Sequence, residues 1–155
     1  MDSFDRRILA YLQRDCRASL ADIAADVGLS ASACHKRIKA IEARGLIDAY
    51  SAIIDEEAVG LRTHIFAQVT LKSQHEAVLT EFETAVQRHG DIMECYLMAG
   101  TSDYLLRIVC RDVEDYERIH KQILTRLPGV DRLMSNFAIR KIFRRSNVPL
   151  PRAAD

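Results

Sequence analysis

The chain has 155 residues, of which 48% are hydrophobic and 28% are charged, so it can form one ordinary domain or two small ones with a real core. Its 22 basic and 22 acidic side chains cancel, so the net charge says nothing about partners and only the distribution of charge is informative. The polar start MDSFDRR does not resemble a signal peptide, and no apolar run approaches the ~20 residues of a membrane span, so we expect a cytoplasmic protein.

Three short helices are predicted in the first third of the chain, each from apolar residues at helical spacing. The first covers Ser3–Asp15. The second begins after Ser19, a good N-cap, and ends at Gly28, because glycine readily takes the left-handed conformation found after a helix. The third is capped by Ser30 and runs to Arg44. The short link between the second and third helices forces them to cross steeply, which is the helix-turn-helix arrangement.

The solvent-facing side of the third helix is basic and carries hydroxyl groups. At ~100° per residue, Cys34, Ile38 and Ile41 fall on one buried line, so the opposite line faces solvent. A basic, hydroxyl-bearing line near a helix N-terminus suits a recognition helix in a DNA major groove, although solvated lysines on an ordinary surface helix are the alternative. The predicted DNA-binding residues are the cap Ser30, then Ser32, His35 and Lys39 for base edges, and Lys36, Arg37 and Arg44 for phosphates.

The segment Leu46 to Ile54 is interpreted as a short hairpin with Asp48 near its turn. A helix-turn-helix followed by a hairpin is a winged helix. The sequence therefore predicts a winged helix-turn-helix domain over residues 1–54, followed by a linker over 55–64 that lacks strong periodicity.

The rest of the chain predicts the order β-α-β-β-α-β, which is the ferredoxin-like pattern and gives an α+β protein. Residues 65–72 alternate between apolar and polar types, as a half-buried strand does. The other predicted elements are a helix over 75–88, strands over 91–99 and 103–110 joined by the turn 100–102, a helix after Asp112 that ends at Leu127-Pro128-Gly129, and a long strand over 130–144. The domain is predicted to span 65–145, with a flexible tail over 146–155.

Two helices cover only one face of such a sheet. Alternate residues on the other face include large apolar types, for which we name Phe66, Tyr96 and Phe137. Sheet-to-sheet dimerisation is the simplest way to bury them, and a sheet that tolerates scattered exposed apolar residues is the alternative. The basic residues Arg140, Lys141, Arg144 and Arg145 are interpreted as a solvated strand end, or else as contacts to DNA phosphates.

The cysteines and histidines do not predict a catalytic or metal site. Four cysteines stand far apart and form no C-x-x-C motif: Cys16, Cys34, Cys95 and Cys110. We interpret them as small buried hydrophobes in a reducing compartment, with thiol sensing at Cys95 and Cys110 as the alternative. The histidines show no spacing that suggests a shared site, so the protein is not expected to be an enzyme.

Together these segments resemble the Lrp/AsnC, or feast/famine, family of transcription regulators. FDRRILAYLQRDCRASLADIAADVGLSASACHKRIKAIEARGLI is similar to its winged-helix segment, and ECYLMAGTSDYLLRI and ILTRLPGV are similar to its effector domain. The family often has proline after the recognition-helix cap, where this chain has Ala31, but proline is only a preferred first-turn residue. The resemblance implies a nucleoid-associated regulator without a cofactor or metal, which binds double-stranded DNA, forms homodimers that assemble into octamers or other oligomers, and responds to an amino acid.

The resemblance also implies where the effector binds, because in the family it lies between dimers against the turn that joins the second and third strands. That turn is Gly100, Thr101, Ser102, Asp103 and Tyr104 here, and the implied neighbouring wall is Met98, Met134 and Ser135. Turn N–H groups and hydroxyls suit a ligand carboxylate, and Asp103 suits an ammonium group. An ordinary hairpin turn is the alternative for the site, and an architectural DNA-wrapping protein without an effector is the alternative for the function.

Overall fold

The structure is a computed structural model that describes residues 1–151. The chain divides into two compact units. The first consists of Met1–Ile53 together with the C-terminal segment from Phe143, and the second is Ile54–Ile142. Within the described residues, no helix is long and apolar enough to cross a membrane.

The first unit contains three helices, with bounds α1 (Ser3–Arg14), α2 (Leu20–Val27) and α3 (Ala31–Ala43). The side chains of Asp2, Ser19 and Ser30 cap them, because each accepts a hydrogen bond from the backbone N–H three residues further on. Gly28 ends α2 in the left-handed conformation, with φ of 71°. The predicted helix-turn-helix is therefore confirmed, and its core is Ile8, Leu9, Ile23, Ala24, Val27, Cys34 and Ile41.

The hairpin predicted over 46–54 is wrong, because no residue of this segment pairs in a strand. The segment contains no glycine or asparagine that could take the positive φ of a tight two-residue turn. Two of its side chains contact the helices instead. Ile47 packs on the helical core, and the Tyr50 hydroxyl donates to Glu42 Oε1 at 3.1 Å. The first unit is thus a helix-turn-helix without a wing.

The flexible tail predicted from residue 146 is also wrong for the described residues 146–151. The backbone N–H of Val148 donates to Gln13 Oε1 at 2.6 Å, and Gln13 Nε2 donates to the carbonyl of Val148 at 3.2 Å. Leu150 packs against the helical core and is partly buried, whereas Val148 stays 63% exposed. Residues 152–155 of this prediction lie outside the described part of the chain.

The second unit is one four-stranded antiparallel sheet with two helices on one face. Its elements are β1 (Thr63–Leu71), α4 (Glu76–Val86), β2 (Ile92–Leu97), β3 (Tyr104–Cys110), α5 (Val113–Gln122), a short 3-10 turn (Leu124–Arg126) and β4 (Val130–Phe137). The strand order is β2-β3-β1-β4, which confirms the ferredoxin-like prediction. The last strand is shorter than predicted: its ladder with β1 ends at the pair Ile65 and Phe137, and one further hydrogen bond follows, from the N–H of Ala138 to the carbonyl of His64 at 2.9 Å.

One face of the sheet is buried and the other is exposed, as the alternation of apolar and polar residues along β1 predicts. Ile65, Ala67, Val69 and Leu71 are buried under the helices. The opposite face, which we call the open sheet face, carries Phe66, Gln68, Tyr96, Leu105, Arg107, Met134 and Asn136. Phe66 and Tyr96 are 39% and 52% exposed there, as expected of one chain considered alone.

Phe137 was predicted on the open sheet face, and this is wrong. It lies directly opposite Ile65 in the ladder, so it shares the helix-covered face with Ile65. Its ring packs edge-on against Tyr116 of α5, with 5.1 Å between the centroids. The error is one of register, because the pairing of β4 decides which of its alternate residues face the helices.

Residues 55–62 form an ordered part of the second unit, although the sequence predicted a linker over 55–64. Asp55 Oδ1 accepts hydrogen bonds from two backbone N–H groups of the turn that follows, and Gly60 takes φ of 89°. Glu56 binds Arg107 at 3.3 Å and Lys141 at 3.2 Å. Burial opposes the charge of Glu56, but the hydrogen bonds from Lys141 and Arg107 outweigh it and lower the pKa of this carboxyl. The last two residues of the predicted linker already belong to β1.

Candidate nucleic-acid interface and ligand site

Two of the predicted phosphate contacts hold α3 against α1. Arg37 donates to Asp2 Oδ2 at 2.6 Å and to Asp5 Oδ1 at 2.8 Å, and Arg44 reaches Asp5 Oδ2 at 3.4 Å. The hydrogen bonds to Asp2 and Asp5 raise the pKa of Arg37. Asp5 is buried, so removal of its cations would leave an uncompensated carboxylate inside the protein. The geometry therefore makes Arg37 an anchor of the helix and not a free cation.

Lys39 is paired along its own helix. Its Nζ lies 2.8 Å from Glu42 Oε2, and Tyr50 donates to the other carboxylate oxygen. The bonds from Lys39 and Tyr50 lower the pKa of Glu42. Both members of the Lys39–Glu42 pair keep access to solvent, and exposed pairs are weak enough to exchange partners. Lys39 can thus leave Glu42 at little cost, unlike Arg37, which two carboxylates hold.

The exposed N-terminal half of α3 carries polar side chains that are available to bind another molecule. Ser32 and Lys36 are exposed and make no side-chain hydrogen bond or ion pair with another residue in 1–151. His35 is exposed beside them, near the charge of Glu42. Ser30 Oγ accepts from the N–H of Ala33 at 3.2 Å as the helix cap, which leaves its hydroxyl proton free to donate. The helix thus presents hydroxyl, imidazole and ammonium groups along one exposed stretch.

The predicted effector turn is an exposed connection between β2 and β3. The N–H of Met98 donates to the carbonyl of Asp103 at 2.8 Å and closes the hairpin below the turn. Gly100 and Thr101 are exposed, and Ser102 is partly so. Gly100 does not take a positive φ, and a Cβ built on it would meet nothing within 4 Å. The chain's own packing therefore does not require glycine here, and the space beside it is open to another molecule.

Asp103 is not placed to bind an ammonium group. Its carboxylate is 8% exposed and accepts hydrogen bonds from the N–H of Leu71 at 2.7 Å and from Gln74 Nε2 at 2.6 Å. Both oxygens thus fasten the start of β3 to the end of β1. The ligand role predicted for Asp103 is replaced by a structural one.

Tyr104 likewise belongs to the core. Its ring is buried against Phe82, with 4.6 Å between the centroids, and its hydroxyl donates to Glu83 Oε1 at 2.7 Å. Burial raises the pKa of Tyr104 well above its usual value, and the carboxylate of Glu83 adds to this effect. Residues 100–102 of the turn are therefore accessible, whereas the two residues that follow are buried and bonded within the fold.

Met134 and Ser135 cannot line the same wall, because adjacent residues of a strand point to opposite faces. Met134 lies opposite Gln68 on the open sheet face and is exposed. Ser135 lies opposite Ala67 and its hydroxyl bonds to the hydroxyl of Tyr116 under the helices. The prediction for Ser135 is therefore wrong, whereas Met98 and Met134 remain accessible.

All four cysteines were predicted to be buried. This is wrong for Cys16 and Cys95, which are exposed. Desolvation and the nearby Glu83 carboxylate raise the pKa of Cys95 to about 11, and burial raises the pKa of Cys110 to about 11. Both thiols stay protonated near neutral pH, and this weakens the thiol-sensing alternative because the thiolate is the reactive form. Within residues 1–151, no cluster of His, Cys, Asp and Glu could hold a metal ion.

A helix-turn-helix with an exposed polar helix, joined in one chain to a ferredoxin-like unit, defines a class: transcription regulators that combine a DNA-binding domain with a ligand-binding domain. The model of the AsnC-type helix-turn-helix domain matches residues 1–42, and that of the Lrp/AsnC ligand binding domain matches residues 64–148. The chain belongs to the Lrp/AsnC family of transcriptional regulators, whose members are not enzymes.

Individual relatives agree with this assignment. An HTH-type transcriptional regulator of Sinorhizobium fredii is 45% identical over 76% of this chain and 92% of its own length. An AsnC family regulator from Agrobacterium tumefaciens has a similar structure, with a TM-score of 0.91 and 32% identity over 96% of this chain and 97% of that one. A transcriptional regulator from Neisseria meningitidis, solved in complex with L-Met, gives a TM-score of 0.89 and 26% identity over 96% of each chain.

Proposed function

We propose that this Lrp/AsnC-type regulator reads duplex DNA with the N-terminal half of α3, and that an amino acid bound at the β2–β3 turn controls it. One observation carries the DNA-binding part. Ser32, His35 and Lys36 are exposed and make no hydrogen bond or ion pair with another described residue, while Arg37 and Arg44 fix the same helix to α1. A helix that is already fixed loses little conformational freedom on binding, so its contacts contribute more of their energy to affinity.

In this proposal Lys36 meets phosphate, and Ser32 and His35 reach base edges, with Lys39 available after it leaves Glu42. Two copies of α3 in a dimer would read half-sites about one helical turn, ~34 Å, apart, or a multiple of that spacing. The exposed apolar side chains of the open sheet face, such as Phe66 and Tyr96, support a dimer formed through that face. Assembly of dimers into octamers or other oligomers, in the cytoplasm and on the nucleoid, is part of the same proposal.

The effector part of the proposal rests on the exposed turn and on the relative that binds L-Met. Backbone N–H groups and the hydroxyls of Thr101 and Ser102 suit the carboxylate of an amino acid. The carboxylate of Asp103 is already bonded to Leu71 and Gln74, so it cannot also receive the ammonium group. A second copy of the chain would therefore have to supply the group that binds the ammonium, which agrees with a ligand held between dimers. The open space beside Gly100 leaves room for it.

The DNA contact is tested by gel shift on promoter DNA at rising salt, with Lys36→Ala and Lys72→Ala as a matched pair. Lys72 is exposed in the second unit, so its loss removes the same charge without changing α3. We expect Lys36→Ala to weaken binding and to reduce the salt slope by about one phosphate contact, while Lys72→Ala leaves both unchanged. Equal affinity and slope for both variants would contradict the recognition-helix assignment.

The effector is tested by thermal shift against the twenty amino acids, because a ligand that binds only the folded state raises its Tm. We expect one or a few amino acids to raise Tm and to change the gel-shift pattern. The substitution Thr101→Val should reduce that effect, because it removes a turn hydroxyl without removing volume. If no amino acid shifts Tm while DNA binding is intact, the architectural alternative replaces the effector proposal.

A further inference from the structure

The chain passes between its two units twice, because its C-terminal segment returns to the unit that contains the helices. The first passage is at Ile53 and Ile54, and the second is at Ile142 and Phe143. All four residues are more than half exposed, and neither passage belongs to a helix or strand. Their own side chains therefore hold the passages only weakly, so a restraint on them has to come from neighbouring residues.

One carboxylate lies beside both passages. Glu56 stands two residues after Ile54, and Lys141 stands one residue before Ile142. Glu56 Oε2 accepts a hydrogen bond from Lys141 Nζ at 3.2 Å, although the two residues are 85 positions apart. The other oxygen, Oε1, accepts from Arg107 Nη1 of β3 at 3.3 Å. The first and last residues of the second unit are thus fastened to each other and to an inner strand of its sheet.

This cluster is shielded from solvent, unlike an ordinary surface ion pair. The side chains of Glu56 and Arg107 are 12% and 11% exposed, and His64 Nε2 lies 3.7 Å from Glu56 Oε2. Arg107 also donates to Glu94 of β2 at 2.7 Å, so its guanidinium bridges two carboxylates. Shielded pairs are weakened by salt less than exposed ones, and removal of one member leaves its partner uncompensated. The cluster is therefore suited to hold the chain in place.

We propose that Glu56 is a positioning residue for DNA reading, because it ties both passages to the sheet and so limits the movement of the DNA-binding unit. Without this carboxylate, the loosely held chain would extend from Ile54 to the start of β1 at Thr63, and from the end of β4 at Phe137 to Ile142. Longer free segments reach further, so the unit would sample more space. In a dimer that reads two half-sites, the restraint sets which half-site spacings the two copies of α3 accept. This last step rests on the proposed function.

Amide hydrogen exchange of the full chain tests whether Glu56 holds both passages, and it requires neither DNA nor an effector. One reporter is the N–H of Leu61, which donates to the carbonyl of Glu56 at 2.8 Å. The other is the N–H of Ala138, which donates to the carbonyl of His64 at 2.9 Å. Glu56→Gln removes the charge without changing the size of the side chain, and we expect it to speed exchange at both reporters by about tenfold.

Three further variants show whether the effect follows the ion pairs. Lys141→Met should speed exchange at Ala138 but not at Leu61, because Arg107 still holds Glu56. Glu57→Gln and Arg140→Met are the matched controls, since both residues are exposed and make no side-chain hydrogen bond or ion pair within residues 1–151. Neither control should change exchange at either reporter.

The positioning role is tested by how strictly the protein measures half-site spacing. The probes are a duplex that the wild type selects from a random pool, and the same duplex with about 5 bp, half a helical turn, inserted between its half-sites. We expect the insertion to cost the wild type and Glu57→Gln about tenfold or more in affinity, but Glu56→Gln less than about threefold. A variant that is merely less stable would bind both duplexes more weakly by the same factor.

The proposal is overturned if Glu56→Gln leaves exchange unchanged at both reporters, or if it keeps the wild-type ratio of the two affinities. It is also overturned if Glu56→Gln differs from the wild type in molar mass by light scattering, because the effect would then come from altered assembly. A wild type that ignores the insertion would reject the proposed reading of two half-sites. The exchange experiment would in that case still decide whether Glu56 holds the passages.

Discussion

Lys36 and Arg37 are neighbours in sequence, yet their side chains have different surroundings. Arg37 binds two carboxylates of the first unit and lies over the ring of Phe4, 5.1 Å from its centroid, while Lys36 is exposed. The sequence predicted both as phosphate contacts, because a basic run does not reveal which cation faces an acid. A signal was nevertheless present. Asp5 stands three residues before Ile8, within the apolar stripe of α1, and a buried acid requires a cation.

The substitution Asp103→Ala tests whether the carboxylate of Asp103 has a structural role or a ligand-binding role. Asp103→Ala leaves the buried N–H of Leu71 without its acceptor, so we expect the free energy of unfolding to fall by about 1–3 kcal/mol. Chemical denaturation measures this change. Thr101→Ala, on the exposed turn, serves as the control and should change stability by less than about 0.5 kcal/mol. Normal stability of Asp103→Ala would show that the bonds to Leu71 and Gln74 contribute little.

At the scale of helices and strands, the sequence predicted correctly those features that depend on neighbouring residues, namely helix starts and the buried face of a strand. The caps Ser19, Ser30 and Asp112 start their helices as expected, and the alternation along β1 gave the correct buried face. The failures concern segments whose structure depends on a distant partner. The end of β4 depends on how far it pairs with β1, the structure of 46–54 depends on contacts with the helices, and the side occupied by Phe137 depends on strand register.

The first turn of α5 contains a carboxylate whose titration should be visible in acid unfolding. The side chain and N–H of Arg111, with Arg118, lower the pKa of Asp115 to about 2. The folded state therefore binds this proton less readily than the unfolded chain, so the stability contributed by Asp115 is present above about pH 4 and is lost as pH falls towards about 2. Asp115→Asn should be less stable at neutral pH and should lose less stability over that window.

Urea unfolding of the Asp115→Asn protein between pH 2 and pH 7 measures this difference. Asp131→Asn is the control, because Asp131 is exposed and makes no side-chain hydrogen bond or ion pair within residues 1–151. Its pH profile should follow that of the wild type. Identical profiles for all three proteins would remove Asp115 as a determinant of acid stability.

The segment over 143–151 should stabilise α1, because Val148 exchanges two hydrogen bonds with Gln13 and Leu150 covers apolar core. Truncation after Arg145 should therefore speed amide hydrogen exchange in α1 by roughly tenfold, the equivalent of ~1–2 kcal/mol of lost local stability. Exchange in α5, which belongs to the other unit, is the internal control and should not change. Unchanged protection of α1 would mean that the segment is only loosely held in solution.

At the scale of the whole molecule, the two faces of the sheet have different roles. We expect the open sheet face to form the dimer contact, while the helix-covered face stabilises the fold. Phe66 and Phe137 are similarly exposed, at 39% and 45%, but they occupy opposite faces. Phe66→Ser should shift the protein from dimer towards monomer with its fold intact. Phe137→Ser should remain dimeric and unfold more easily, since it loses the ring contact with Tyr116. Sedimentation velocity and thermal unfolding of both variants distinguish these outcomes, and dimeric Phe66→Ser would exclude the open sheet face as the dimer contact.

The bond pair between Gln13 and Val148 joins positions 135 residues apart, so the unit that carries α3 is assembled from both ends of the chain. During synthesis the helices leave the ribosome before the segment that contacts them, which follows only after the entire ferredoxin-like unit has been made. A nascent polypeptide that has not yet reached Val148 would thus carry the three helices without these contacts. Its α1 would therefore be less stable than α1 in a chain that includes residues 146–151.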